Sequence, residues 1–87
     1  MPYEIALSAA AQKNLDRLQN KIRTRIADAL EDLRDEPRPR SSRKLAGSER
    51  LWRIRVGNYR VIYTIEGDEL IILVVRVAHR KDAYRGL

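Results

Sequence analysis

Hydrophobic and polar positions alternate most regularly over residues 52–63, Trp-Arg-Ile-Arg-Val-Gly-Asn-Tyr-Arg-Val-Ile-Tyr. This period of two predicts two β-strands, and Gly57–Asn58, a dipeptide that tolerates positive φ, predicts the hairpin loop between them. The register follows from that loop as three cross-strand pairs: Val56 with Tyr59, Arg55 with Arg60, and Ile54 with Val61. One hairpin face is then a predicted core, formed by Trp52, Ile54, Val56, Tyr59, Val61, Tyr63 and Ile65.

The opposite face of the predicted hairpin carries Arg53, Arg55 and Arg60. Two of them, Arg55 and Arg60, are expected directly opposite each other, and like charges at a cross-strand pair destabilise a sheet. Folding alone therefore does not favour this arrangement of arginines. Binding of a polyanionic partner would favour it, because the partner's negative charges attract all three arginines. Arginine suits such a partner because its planar donor fork fits phosphate bidentately and keeps its charge.

Helical periodicity precedes the hairpin. Residues 2–7 alternate as a short strand, and Ser8 is a suitable N-cap for the helix that follows. A break is expected near residues 19–20, followed by a second amphipathic helix that Pro37 and Pro39 end. The apolar positions of the two helices are Ala11, Leu15, Leu18, Ile22, Ile26, Leu30 and Leu33.

The remaining segments complete one small domain, residues 1–87. Residues 37–50 read as a polar connector, and residues 70–78 read as an interior strand that is apolar on both faces. The tail, residues 79–85, reads as a polar turn or helical fragment. The predicted class is α+β with the order βααβββ: a mainly antiparallel sheet of three or four strands, with both helices on one face and the N-terminal strand beside the interior strand.

Composition and charge limit the classes of function that are open to this chain. The chain has 87 residues, a net charge of +6, no cysteine and one histidine. No disulfide or protein-only metal site is therefore expected, and no cofactor motif is present. Neither a signal peptide nor an apolar run of membrane length occurs, so we expect a cytoplasmic protein without membrane contact. Residues 34–60 hold nine basic and three acidic residues. This segment accounts for the whole excess charge and favours a nucleic-acid or acidic protein partner.

Few residues are suited to proton transfer. The best candidates are His79 and Tyr84, with Lys81 a distant third. The first two candidates have other interpretations: Tyr84 can stack on an RNA base, and His79 can have a structural role in capping the end of the sheet. Arg76, inside an apolar strand, is expected either to extend its charged end to solvent or to form an ion pair, with Glu4 or Asp82 as the candidate partners. Four connector residues form either a solvated loop or a set of phosphate clamps: Arg38, Arg40, Arg43 and Lys44.

Three segments together resemble the RelE branch of the RelE/ParE toxin superfamily: residues 45–47 (Leu-Ala-Gly), the hairpin 52–63, and the ending Leu73-Val-Val-Arg-Val-Ala-His-Arg-Lys-Asp-Ala-Tyr-Arg85. The resemblance spans nearly the whole chain. It implies a RelE-like fold and a type II toxin–antitoxin system. It also implies metal-independent mRNA cleavage in the ribosomal A site, with the RNA 2′-hydroxyl as nucleophile.

The same resemblance implies partners and site residues. The partners are the ribosome with its mRNA and a cognate RelB-like antitoxin, and operator DNA is bound only through the antitoxin complex. The family's working residues match Arg53, Arg55, Arg60, Arg80 and Tyr84.

One departure from the family pattern concerns Arg53 and Arg55, which stand where the best-known relatives have lysines. Arginine does not give up its proton, so neither residue is expected to act as a general base. Tyr84 or His79 is then expected to transfer protons, with the arginines as electrostatic clamps. Two alternatives stay open: a ParE-like poison of DNA gyrase, and a non-catalytic binding and autoregulatory module.

Overall fold

A computed structural model describes residues 2–85 of the chain. The elements in chain order are β1 (Glu4–Leu7), α1 (Ala9–Asp16), α2 (Asn20–Asp35), β2 (Arg43–Lys44), β3 (Trp52–Val56), β4 (Tyr59–Glu66) and β5 (Ile71–His79). The five strands form one sheet in the order β1-β5-β4-β3-β2. β1 runs parallel to β5, and the other neighbours are antiparallel.

This architecture confirms the α+β class, the two consecutive helices and the place of β1 beside β5. The predicted number of strands was wrong. The connector contributes a fifth strand, β2, so that the order is βααββββ. A two-residue strand without apolar alternation leaves no periodic signal in the sequence, because periodicity needs about four residues to be visible.

The helix boundaries follow local chemistry. The Ser8 hydroxyl accepts a hydrogen bond from the Ala11 amide at 3.0 Å, which confirms the predicted N-cap. The same hydroxyl donates to the carbonyl oxygen of Val75 at 3.0 Å, so the start of α1 is also attached to β5. α2 ends at Asp35, two residues before Pro37. No described helix is long and apolar enough to cross a membrane.

Both helices cover one face of the sheet. Their buried side chains include Ala11, Leu15, Ile26, Leu30 and Leu33, and they belong to the same apolar cluster as buried residues of β3, β4 and β5. The predicted core face of the hairpin is confirmed. Its buried members are Ile54, Val56, Val61 and Tyr63, while Trp52, Tyr59 and Ile65 are partly buried against them.

The hairpin register is also confirmed, including the direct pairing of Arg55 with Arg60. Gly57 has φ of 59°, and it alone of the two loop residues has positive φ. Positive φ at the first loop position is typical of a type II′ turn. A Cβ at Gly57 would lie 3.3 Å from Nη1 of Arg25, so the hairpin tip sits close against α2.

A β-bulge in β5 determines which of its side chains reach the free sheet face. Ile62 pairs with Arg76 and Tyr63 with Val74, which leaves Val75 as the extra residue. Because a one-residue shift exchanges the faces, Val74 and Val77 both point into the core. The bulge therefore places Arg76, the partner of Ile62, on the face away from the helices.

Tyr63 joins the core to the connector. Its side chain is fully buried, and its hydroxyl donates to the carbonyl oxygen of Pro37 at 2.7 Å. Desolvation by burial raises the pKa of the Tyr63 hydroxyl above its ordinary value of 10.0, although Ser42 and the charge of Arg38 act in the opposite direction. The fold thus favours the neutral phenol.

We expect this phenol to make stability pH-dependent in alkali. A pKa that is raised in the folded state contributes stability that is fully present below the unfolded pKa, about 10 for tyrosine, and is lost as pH rises through the folded pKa. Tyr63→Phe should cost about 1–2 kcal/mol at neutral pH, since the Pro37 carbonyl loses its donor. It should also make the alkaline decline shallower. Urea unfolding between pH 7 and 11, with Tyr3→Phe as the matched control, measures both effects. An unchanged alkaline slope in Tyr63→Phe would refute the assignment.

Candidate functional site

The sheet register assembles arginines on the face away from the helices. Arg43 pairs with Arg53, Arg53 with Ile62, and Ile62 with Arg76, so that one row crosses four strands. The next row holds Arg55 and Arg60, followed by Ala78. Directly paired residues share a face. We name this surface the arginine face, defined by Arg43, Arg53, Arg55, Arg60 and Arg76.

Two of these arginines belong to the surface only because of structure that the sequence did not reveal. Arg43 was predicted in a loop, and it reaches the face because β2 pairs with β3. Arg76 was predicted either to extend its charged end to solvent or to pair with Glu4 or Asp82. Instead, its Nη1 donates to the carbonyl oxygens of Ala83 and Arg85 in the tail.

The arginine face is strongly positive. It contains two directly opposed pairs of like charge, Arg43–Arg53 and Arg55–Arg60. The ion pairs formed within residues 2–85 involve other arginines, so no carboxylate neutralises these five. Where they donate hydrogen bonds, the acceptors are carbonyls, for example from Arg43 to Arg40 and Ser42 at 2.7 and 2.8 Å. Positive charge concentrated in this way attracts phosphate.

Tyr84 stands at one edge of this surface. The tail returns after β5 through short turns, as predicted, and the Tyr84 side chain is 44% exposed. It lines a cleft of about 450 Å³ together with residues of the connector and β3. The lining residues are Arg43, Lys44, Leu45, Ala46, Gly47, Ser48, Leu51, Arg53 and Tyr84. The structure thus brings Tyr84, Arg53, Arg43 and Lys44 to one cleft.

His79, the other residue predicted to transfer protons, lies apart from this cleft. It pairs with Tyr59, a residue of the core face, and the two rings meet edge to face at 5.7 Å between centroids. Its Nδ1 accepts the backbone amide of Lys81 at 3.4 Å. Since paired residues share a face, the imidazole lies on the helix side of the sheet, away from the arginines. The alternative interpretation, in which His79 closes the end of the sheet, fits this position.

The other predicted residues are dispersed. The Arg80 amide donates to the Asn58 carbonyl at 2.8 Å, which places this exposed residue beside the hairpin turn. The Arg38 guanidinium lies 5.3 Å from the centroid of the Trp52 ring, in a cation–π contact. Arg40 is exposed on the connector. Of the four connector residues predicted to bind RNA, Arg43 and Lys44 therefore line the cleft, and Arg38 is engaged elsewhere.

Comparison with known proteins gives consistent matches over nearly the whole chain. A family model described as the ParE toxin of the type II toxin–antitoxin system parDE matches residues 5–84. The toxin RelG of Mycobacterium tuberculosis is 33% identical over 90 residues, which cover 98% of this chain and 99% of RelG.

Solved structures show the same fold. The archaeal RelE–RelB complex from Pyrococcus horikoshii OT3 matches with a TM-score of 0.81 and 30% identity, covering 95% of this chain and 100% of the matched chain. The toxin–antitoxin complex RelBE2 from Mycobacterium tuberculosis matches with a TM-score of 0.79 and 29% identity, covering 92% and 100%.

Proposed function

This chain belongs to the RelE/ParE superfamily and is a toxin of a type II toxin–antitoxin system, and we propose that it is a ribosome-dependent endoribonuclease that cuts mRNA in the A site. The observation that carries the proposal is the arginine face, with Tyr84 and Arg53 lining one cleft. Two like-charge pairs weaken the sheet. Binding of a phosphodiester at this face would explain why the protein keeps arginine pairs that destabilise the sheet.

The chemistry proposed for the cleft uses groups of the chain and the RNA, with solvent water as the proton acceptor. The 2′-oxygen attacks the adjacent phosphorus and forms a bond to it, while the bond from phosphorus to the 5′-oxygen breaks. The 2′-hydroxyl proton passes to water, and the 5′-oxygen takes up a proton from an acid. Arg53 and Arg55 stabilise the negative charge that builds up on the phosphoryl oxygens, a contribution that depends on donors already in place.

Tyr84 is the proton donor in this proposal. Tyr84 lines the same cleft as Arg53, whereas His79 faces the other side of the sheet. Positioned acids of this kind typically contribute 10²–10⁴-fold. Arg43 and Lys44 also line the cleft, and their charges are suited to hold the neighbouring phosphates.

A second candidate function comes from the matching family model, whose description names ParE. We therefore pair two assays on the same purified toxin. Arrest of cell-free translation without inhibition of gyrase supercoiling supports the ribonuclease. Inhibition of supercoiling with translation intact would overturn it in favour of a gyrase poison.

The proposed partner is a RelB-like antitoxin, because the matched structures are complexes of RelE with RelB. An acidic helical segment of such an antitoxin would neutralise part of the arginine face, and operator DNA would be contacted through the complex. We expect the toxin–antitoxin affinity to fall by about tenfold or more between 50 and 500 mM NaCl, because salt screens exposed charges. Isothermal titration calorimetry measures this slope, and Arg55→Gln should flatten it. An affinity that is independent of salt would place the interface elsewhere.

A further inference from the structure

Arg76 differs from the other members of the arginine face because its guanidinium is directed at the protein's own backbone. Its Nη1 donates to the carbonyl oxygen of Ala83 at 3.2 Å and to that of Arg85. These two residues flank Tyr84 directly. We propose that Arg76 is a positioning residue, which rests on the proposed function: it holds the C-terminal tail so that Tyr84 stands beside Arg53.

The burial of Ala83 supports a fixed tail. Its side chain is fully buried, while Asp82, Tyr84 and Arg85 around it are exposed. Ile62, the cross-strand partner of Arg76, is also fully buried, although it lies on the face that no helix covers. The tail therefore folds back onto the sheet near Arg76, with the Ala83 methyl group buried on the sheet face that no helix covers.

The Arg80 amide attaches the start of the tail to the Asn58 carbonyl of the hairpin turn, and the other hydrogen bonds nearer Tyr84 are local. The Asp82 amide donates to the His79 carbonyl at 2.8 Å, and the Arg85 amide donates to the Asp82 carbonyl at 3.2 Å. An exposed ion pair of 3.7 Å also joins Arg85 to Asp82. These contacts shape turns without attaching the residues around Tyr84 to the sheet. Among the described hydrogen bonds, those that make this attachment come from Arg76.

The competing interpretation makes Arg76 one more phosphate ligand. Two observations argue against a phosphate-binding role for Arg76. Ile62 lies between Arg76 and Arg53 in the row. In addition, Nη1 of Arg76 already donates to two carbonyl oxygens. The two interpretations also differ in whether Arg76→Lys should preserve the function of this side chain. A lysine keeps the charge, but its ammonium is a compact point charge on a flexible stem and does not direct its donors as the rigid planar guanidinium does.

The test compares Arg76→Gln and Arg76→Lys with the wild-type protein, and uses Arg50→Gln as a control that removes one exposed positive charge. Single-turnover cleavage on mRNA-programmed ribosomes gives the rate, and 3-fluorotyrosine at position 84 reports ring mobility by ¹⁹F relaxation. We expect roughly 10–100-fold slower cleavage in Arg76→Gln, as misplacement of a reacting group produces. We expect a more mobile ring in Arg76→Gln, and little further loss of rate when Arg76→Gln is added to Tyr84→Phe, because Arg76 then has no phenol to position.

Ala83→Gly gives a second route to the same loosening, because it removes the buried methyl and leaves every charge in place. Equal ring mobility in all variants would overturn the proposal. So would full cleavage by Arg76→Lys together with additive losses from Arg76→Gln and Tyr84→Phe, since charge alone would then matter. If the wild-type protein does not cut mRNA, the proposed function fails, and the ¹⁹F comparison still decides whether Arg76 fixes the tail.

Discussion

Arg53→Gln is expected to slow mRNA cleavage by about 10²–10³-fold, the range typical for loss of one donor that stabilises transition-state charge. Arg53 lies in the arginine row next to Arg43, and both residues line the cleft with Tyr84. The same change relieves the like-charge pair with Arg43, so the free energy of unfolding should stay constant or rise by about 0.2–1 kcal/mol. Single-turnover cleavage and urea unfolding measure the two effects on one preparation.

Two further variants make the Arg53 result specific. Arg17→Gln removes the same charge from the end of α1, on the helix side, and should leave the rate within about twofold of wild type, since surface charges more than a Debye length apart are largely screened. Arg53→Lys keeps the charge without the bidentate fork and should give an intermediate rate. Equal losses from Arg17→Gln and Arg53→Gln would mean that only net charge matters.

Tyr84→Phe is expected to slow cleavage by about 10²–10⁴-fold, because the change removes the proposed proton donor and keeps the ring. The Tyr84 side chain is exposed, so the folded state should lose little stability. Comparison with Tyr84→Ala separates two roles for the same side chain. A proton donor makes the two variants equally slow, whereas a stacking platform leaves Tyr84→Phe near the wild-type rate and slows only Tyr84→Ala.

A matched control for this pair is Tyr3→Phe, in which a hydroxyl is removed at β1 and far from the cleft in the fold. It should cleave at the wild-type rate. A wild-type rate for Tyr84→Phe, with Tyr84→Ala slow, would contradict the proton-transfer role and assign Tyr84 to base stacking.

The hairpin could be predicted almost completely because its information is local. Alternation with a period of two, together with a glycine at the turn, specifies both the register and the faces, and the Arg55–Arg60 pair follows from them. The apolar stripes of the two helices are readable for the same reason. Each helix buries the positions that recur at helical spacing, including Ala11, Leu15, Ile26, Leu30 and Leu33.

The parts of the site that could not be predicted depend on non-local or irregular structure. Arg43 joins the arginine face through a two-residue strand, and Arg76 joins it through a bulge at Val75. Neither feature has a periodic signature in the sequence. The place of His79 depends on its pairing with Tyr59 across the sheet. His79 and Tyr84 were grouped because both side chains can transfer protons, and the sheet pairing places them on different faces.

The central claim is that this toxin cuts mRNA in the ribosomal A site with the arginine face and Tyr84. Primer extension on a defined mRNA, with purified toxin and with or without programmed ribosomes, tests it most directly. We expect breaks confined to the A-site codon, present only with ribosomes and absent with Arg53→Gln. Breaks in naked RNA, or no breaks in either sample while gyrase is inhibited, would contradict it.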